Sequence, residues 1–194
     1  MKKAAMFGLD ARIALAIFGA LSVISGAALY SAIQNAQATA VLTTAQEIGK
    51  AWEAFYLDTG SDLKQQSTSS TGIHHRYTKE LKESTKAGWQ GPYLSYEENG
   101  TSGVLKHSDY GNVHLLSTKD TEWGGDTNWY PGEVCADKTD CYVWVHLTEI
   151  GAERCANVDT LVDGSNSPKT GNLRCRDSGE LYFKYAPLGL PPVN

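Results

Sequence analysis

The chain has 194 residues, of which 41% are hydrophobic and 20% charged, and its formal net charge is −5. Those values exclude a disordered chain, and they weigh against a general nucleic-acid binder, which would carry a strongly basic face. The length suits one domain with an appendage.

The composition is uneven from the start. Residues 13–30 read IALAIFGALSVISGAALY, 18 positions without a charge, behind Lys2, Lys3 and Arg12. About 17–25 apolar residues cross a hydrocarbon core roughly 30 Å thick, and a basic N-terminal flank keeps that end in the cytoplasm. The expectation is a single-pass anchor, with the chain from Gln34 onward across the membrane.

No turn ends the apolar run. Over residues 34–58, Val41, Leu42, Ala45, Ile48, Trp52, Phe55 and Tyr56 recur at steps of three and four, while Gln37, Thr44, Glu47, Lys50 and Glu53 take the other face. That pattern predicts an amphipathic helix continuous with the apolar one. Residues 9–58 as one helix would run about 75 Å, with Gly60 as its C-cap. The first proline is Pro92, so nothing in this stretch interrupts a helix.

Residues 59–75 are rich in Ser and Thr and read as a loop. Residues 76–87 predict a short surface helix. The stretch from His74 to Lys86 carries Arg76, Lys79, Lys82 and Lys86 with Tyr77, interleaved with Glu80 and Glu83. A solvated charged face, rather than a nucleic-acid contact, is the expectation there. Further on, VHLLS (113–117), YVWVHL (142–147) and LYFKY (181–185) have strand composition. The segments 123–132 and 163–172 are rich in turn residues. The fold class expected is α+β: a small antiparallel sheet of three or four strands, with the amphipathic half of the long helix on one face.

All four cysteines, Cys135, Cys141, Cys155 and Cys175, lie on the far side of the predicted anchor. Their spacing does not match paired zinc knuckles, and topology favours two disulfides in an oxidising compartment. Three pairings exist. The pairing 135 with 141 and 155 with 175 is favoured, because each bond closes a local, turn-rich loop. No nucleophile-elbow sequence and no convergent acid, base or nucleophile pattern appears, so no catalytic or cofactor-binding residue is expected and the chain does not read as an enzyme. Among the histidines (His74, His75, His107, His114 and His146), His114 and His146 sit in expected strands as core-edge or surface residues.

The N-terminal segment MKKAAMFGLDARIALAIFGALSVISGA resembles the N-termini of type IV prepilins and type II secretion pseudopilins. In that family a short basic leader precedes a small residue at the cut, an acid stands four positions after the new terminus, and an apolar helix with a fixed glycine follows. Division between Ala5 and Met6 puts Asp10 on the acid position, and Ile13, Ala16, Ile17, Gly19 and Leu21 on the apolar and glycine positions. The departures are Ala5 where glycine is usual, Asp10 in place of glutamate, Arg12 where most members are uncharged, and the absence of a helix proline. WEAFYLDTG (52–60) is similar to the helix end of the major pseudopilins, GWQGPYL (88–94) to a later segment of theirs, and SDYGN (108–112) to a degraded turn. After about residue 120 the likeness ends.

The resemblance implies a pilin-like layout: a leader at 1–5, a membrane and assembly half-helix at 6–33, an amphipathic half at 34–58, and a disulfide-bonded head at 59–194. It implies cleavage by a prepilin peptidase, N-methylation of Met6, and polymerisation into a helical homopolymer by an inner-membrane platform protein and an assembly ATPase, alongside minor pilins. Asp10 would pair with the new terminal amine of a neighbouring subunit, and Gly19 would sit in the assembly helix. The subunit would wait in the inner membrane with its head in the periplasm, then move to a pilus or pseudopilus at the cell surface. Because pseudopilins use a calcium loop, Asp159, Asp163 and Asp177 are the residues a Ca²⁺ ion would use. They lack EF-hand spacing, and turn chemistry accounts for them. A separate reading is a secreted or periplasmic binding domain released at the Ala36-Gln37-Ala38 site, with cleavage after Ala38.

Overall fold

The structure is a computed structural model that describes residues 4–66, 75–100, 102–125, 135 and 140–188, and of residues 4–7 and 9 only the backbone. His74, most of the 123–132 turn and the first three leader residues lie outside the described residues. The chain divides into two compact units, residues 1–37 and 38–194.

Helix α1, Ala4–Thr59, runs 56 residues without a break. It stops where Gly60 takes φ 64° and donates its N–H to the Tyr56 carbonyl at 2.9 Å, the left-handed termination that glycine allows at no steric cost. In the second unit, one stripe of the helix is buried: Ala38, Val41, Ala45, Ile48, Ala51, Trp52 and Phe55.

Among the described residues, seven strands form one antiparallel sheet. In chain order they are β1 His75–Arg76, β2 Glu97–Glu98, β3 Leu105–His107, β4 Gly111–Lys119, β5 Cys141–Leu147, β6 Leu173–Cys175 and β7 Leu181–Pro187. Their spatial order is β2-β3-β4-β5-β7-β6, with β1 also on β4. The expected strands are β4, β5 and β7. The sheet is wider than the three or four strands expected, because the added ones have only two or three residues and carry no period of their own.

Alternation gives the sheet two cores. On one face Val113, Leu115, Val143, Val145, Leu147 and Leu181 pack with the helix stripe. On the other, Leu116, Trp123, Trp144 and Tyr182 form a separate aromatic cluster. A second helix, α2, Ala152–Asp163, lies between Gly151 (φ 86°) and a left-handed cap at Gly164. It buries Cys155 and Val158.

The expected surface helix at 76–87 is instead a 3-10 turn, Thr78–Leu81. The backbone bonds that would extend it go elsewhere: the Leu81 carbonyl accepts from the N–H groups of Tyr93 at 2.8 Å and Leu94 at 3.3 Å.

Helix and sheet approach closely at Gly49, where an added Cβ would overlap the Tyr185 ring. That ring donates its hydroxyl to Glu53 at 2.9 Å and meets Trp52 edge-on at 6.4 Å. Gly49→Ala is therefore expected to destabilise the head by about 1–2 kcal/mol, the overpacking penalty exceeding the gain in helix propensity. Urea denaturation followed by tryptophan fluorescence checks this, and an unchanged or raised midpoint would contradict the packing described.

Candidate functional site

Among the described residues, the first unit presents an extended exposed apolar surface. Ile13, Leu15, Ile17, Phe18, Leu21, Val23, Ile24, Leu29 and Tyr30 are each 50–73% exposed, and they point in every direction around the helix. In the second unit, by contrast, α1 carries only one apolar stripe. Among the described residues nothing lies within 4 Å of a Cβ built on Gly8, Gly19 or Gly26. Ser22 returns its hydroxyl to the Phe18 carbonyl at 2.8 Å, which keeps a polar group satisfied within an apolar segment. The helix is long and apolar enough to cross a membrane, and its place near the N-terminus fits a signal sequence equally well.

Asp10 and Arg12 are the only charges in α1 before Glu47, and both are exposed. They stand two positions apart, and helix residues at that spacing do not face each other. Ala5 and Met6 fall in the first turns of α1, where only the backbone is described.

In the second unit the cysteines pair Cys135–Cys141 and Cys155–Cys175, with Cα separations of 5.8 and 5.9 Å. No cysteine is free. The second bond fastens α2 to β6, and both of its ends are buried.

Of the acidic residues named for calcium, Asp159 and Asp163 are neighbours on α2, and both are taken up by turn backbone. Asp163 accepts from the N–H groups of Asn172 and Leu173, both at 2.8 Å, and so shapes the turn into β6. Asp159 accepts from the Ser167 N–H at 2.7 Å. Burial first, and then the neighbouring Asp163, push its carboxyl up to about 6. Asp177 lies in the tight turn between β6 and β7. Among the described residues no three His, Cys, Asp or Glu side chains converge as a metal site.

The basic stretch is neutralised locally. Lys79 pairs with Glu83 at 2.7 Å and Glu98 at 3.0 Å, and Lys86 with Glu80 at 3.3 Å. These pairs border an open groove of about 560 Å³.

Two arrangements on the outer sheet face were not legible from the sequence. The first is a row of rings across β1, β4, β5 and β7. His75 stacks on His114 at 4.7 Å, His114 on His146 at 5.1 Å, and His146 on Tyr182 at 4.2 Å. The Nδ1 atoms of His114 and His146 are buried without a hydrogen-bond partner. Burial, then the neighbouring His146 and His75, drive His114 down to about 2, and burial lowers His146 as well. Glu180 is held near 2 by the His146 ring first, then by the Tyr182 hydroxyl and Arg176. The two partners thus imply opposite charge states for His146. Its contact with Glu180 is long, 3.5 Å, and Nε2 makes no hydrogen bond. Burial therefore decides, His146 is neutral at pH 7, and Glu180 relies on Tyr182 at 2.9 Å and Arg176 at 3.1 Å.

The second is Arg174, only 2% exposed. Its guanidinium lies 4.3 Å from the Trp123 ring and 4.7 Å from Trp144. It donates to the Thr121 carbonyl at 2.7 Å and to Asp120, which also takes Lys184 at 2.8 Å. The planar cation closes the aromatic cluster and ties the 119–123 segment to β6. Pairing in space between segments about 50 residues apart leaves no local sequence signal.

No family model, no curated protein and no solved structure matches the chain.

Proposed function

We propose that the chain is the structural subunit of a type IV pilus or pilus-like filament, with a pilin-like layout, cut by a prepilin peptidase between Ala5 and Met6. The carrying observation is that α1 is apolar and exposed on all sides over residues 13–30, then amphipathic and buried along one stripe in the head. Lipid satisfies such a surface while the subunit is stored. A bundle of copies satisfies it in a filament, where removing apolar area from water contributes roughly 25 cal/mol per Å². Gly19, Ala20, Ser22, Ser25, Gly26, Ala27 and Ala28 allow close helix approach, which gives a use to Gly19 and Gly26, whose Cβ positions meet nothing among the described residues. The resemblance supplies the rest: N-methylation of Met6, an assembly ATPase, a platform protein, minor pilins, and transit from the inner membrane to the cell surface. Loss of Lys2 and Lys3 with the leader makes the polymerised chain two charges more acidic.

One observation favours a second reading, a head released by signal-peptide cleavage after Ala38. The compact second unit begins at Ala38, so that cut would leave the core stripe from Val41 onward intact. Intact-mass analysis of the chain from its own cells distinguishes the two readings. The filament reading expects a terminus at methylated Met6. A terminus at Thr39 overturns it.

A further inference from the structure

We propose that Arg12 of one copy holds Asp10 of the adjacent copy, and that this pair fixes the order and stagger in which the helices add. The inference rests on the filament reading and departs from the terminal-amine pairing that the resemblance implies.

Asp10 and Arg12 are exposed, and among the described residues neither has an ion-pair or hydrogen-bond partner. Everything from residue 13 to residue 46 is uncharged. A lone carboxylate or guanidinium at the edge of an apolar phase is costly unless paired. The two cannot pair within one helix. At two residues' spacing they lie about 200° apart around the axis and about 3 Å apart along it. An acid face and a base face on opposite sides of one rod are complementary between copies.

When parallel helices pack side by side, the acid face of one meets the base face of the next, and a guanidinium grips a carboxylate through two parallel N–H···O bonds. The geometry also selects the kind of assembly. A two-fold pair of parallel helices that meets through either charged face brings like charges together. Contact between unlike faces is heterologous, and such contacts close a ring or continue as an open helical array. Contact through the charged faces therefore favours continued addition over a closed pair. A slip of one turn, about 5.4 Å, weakens the grip and so discriminates against mis-staggered addition.

The test is made with the full chain in its own cells. Arg12→Asp and Asp10→Arg are each expected to reduce surface filaments by at least about tenfold, the scale of losing one partner of a desolvated charge pair. The combined exchange is expected to restore them. Independently, copies carrying Asp10→Cys mixed with copies carrying Arg12→Cys should give an oxidant-induced dimer that neither variant forms alone. The native cysteines are all paired, so they do not compete. If Arg12→Gln assembles normally while Asp10→Ala does not, the acid's partner is another group, such as the Met6 amine, and the proposal is overturned with the filament reading intact. Failure of both the exchange and the mixed cross-link also overturns it. If the unaltered chain forms neither filaments nor cross-linkable neighbours, the filament reading itself has failed.

Discussion

Acidification from about pH 7.5 to about pH 4.5 is expected to lower the melting temperature of the detergent-solubilised chain, and His114→Phe is expected to remove roughly 6–12 °C of that fall. The effect originates in the row of rings on the outer sheet face. His114 on β4 is flanked by His75 on β1 and His146 on β5. Glu180 and Arg176 face the far end of the row, and Tyr182 on β7 closes it. In the unfolded chain, imidazoles take up protons below about pH 6.5. In the folded chain burial holds His114 at about 2. The unfolded state therefore binds more protons throughout that interval. The stability His114 contributes is complete above about pH 6.5 and is lost as the pH falls, by about 3 kcal/mol at pH 4.5. Glu180, lowered by the Tyr182 hydroxyl and by Arg176 once His146 is neutral, adds a further loss below its unfolded value. Asp159, raised to about 6, acts in the opposite sense: its contribution is present in acid and is lost as the pH rises through that value. Because Asp159 is common to both proteins, the difference between wild type and His114→Phe isolates the ring. Phenylalanine preserves the stack and cannot be protonated. Near-ultraviolet circular dichroism of the buried tryptophans gives the readout. Equal acid-induced falls in both proteins would contradict a neutral, buried His114.

The second large effect is expected at the disulfides, which differ in reach. Cys155–Cys175 spans 20 positions and Cys135–Cys141 spans 6. Chain-entropy reasoning gives about 3 kcal/mol for the longer loop and about 2 kcal/mol for the shorter. Cys155→Ala with Cys175→Ala also leaves space at a fully buried position between α2 and β6, where cavity costs add. That variant should lose more stability in urea than Cys135→Ala with Cys141→Ala, and α2 should be the first segment opened to protease. Equal losses from the two double variants would show that the longer bond does not anchor α2 as described.

The legible parts of this fold were those whose signal is local. Val41, Ala45, Ile48, Trp52 and Phe55 repeat at helical spacing, and all five are buried along one stripe of α1. The segments that became β4, β5 and β7 announce themselves by β-branched and aromatic content. What the sequence hid depends on partners distant along the chain. Helix α2 reads AERCANVDTLVD, with too few apolar positions to stand out, and it is held by a disulfide and by glycines at both ends. The segment at 76–87 has helical composition, yet Leu81 gives its carbonyl to the 93–94 backbone and the helix stops after one turn. The histidine row exists only because His114 pairs with His146, and His146 with Tyr182, in the sheet register. Arg174 reads as an ordinary surface arginine until the sheet places it between two tryptophans. In the candidate site, the apolar helix and its two charges are plain in the sequence. That the two charges fall on opposite sides follows once the segment is helical.

In the proposed filament, residues 13–33 become buried between copies. Carbene footprinting of material sheared from the cell surface, combined with imaging, tests this most directly. Fibres built from chains that begin at Met6 are expected, with side chains at 13–33 far less labelled than in detergent micelles stripped of neighbours. A soluble, monomeric product that begins at Thr39, with no fibres present, would contradict the filament reading.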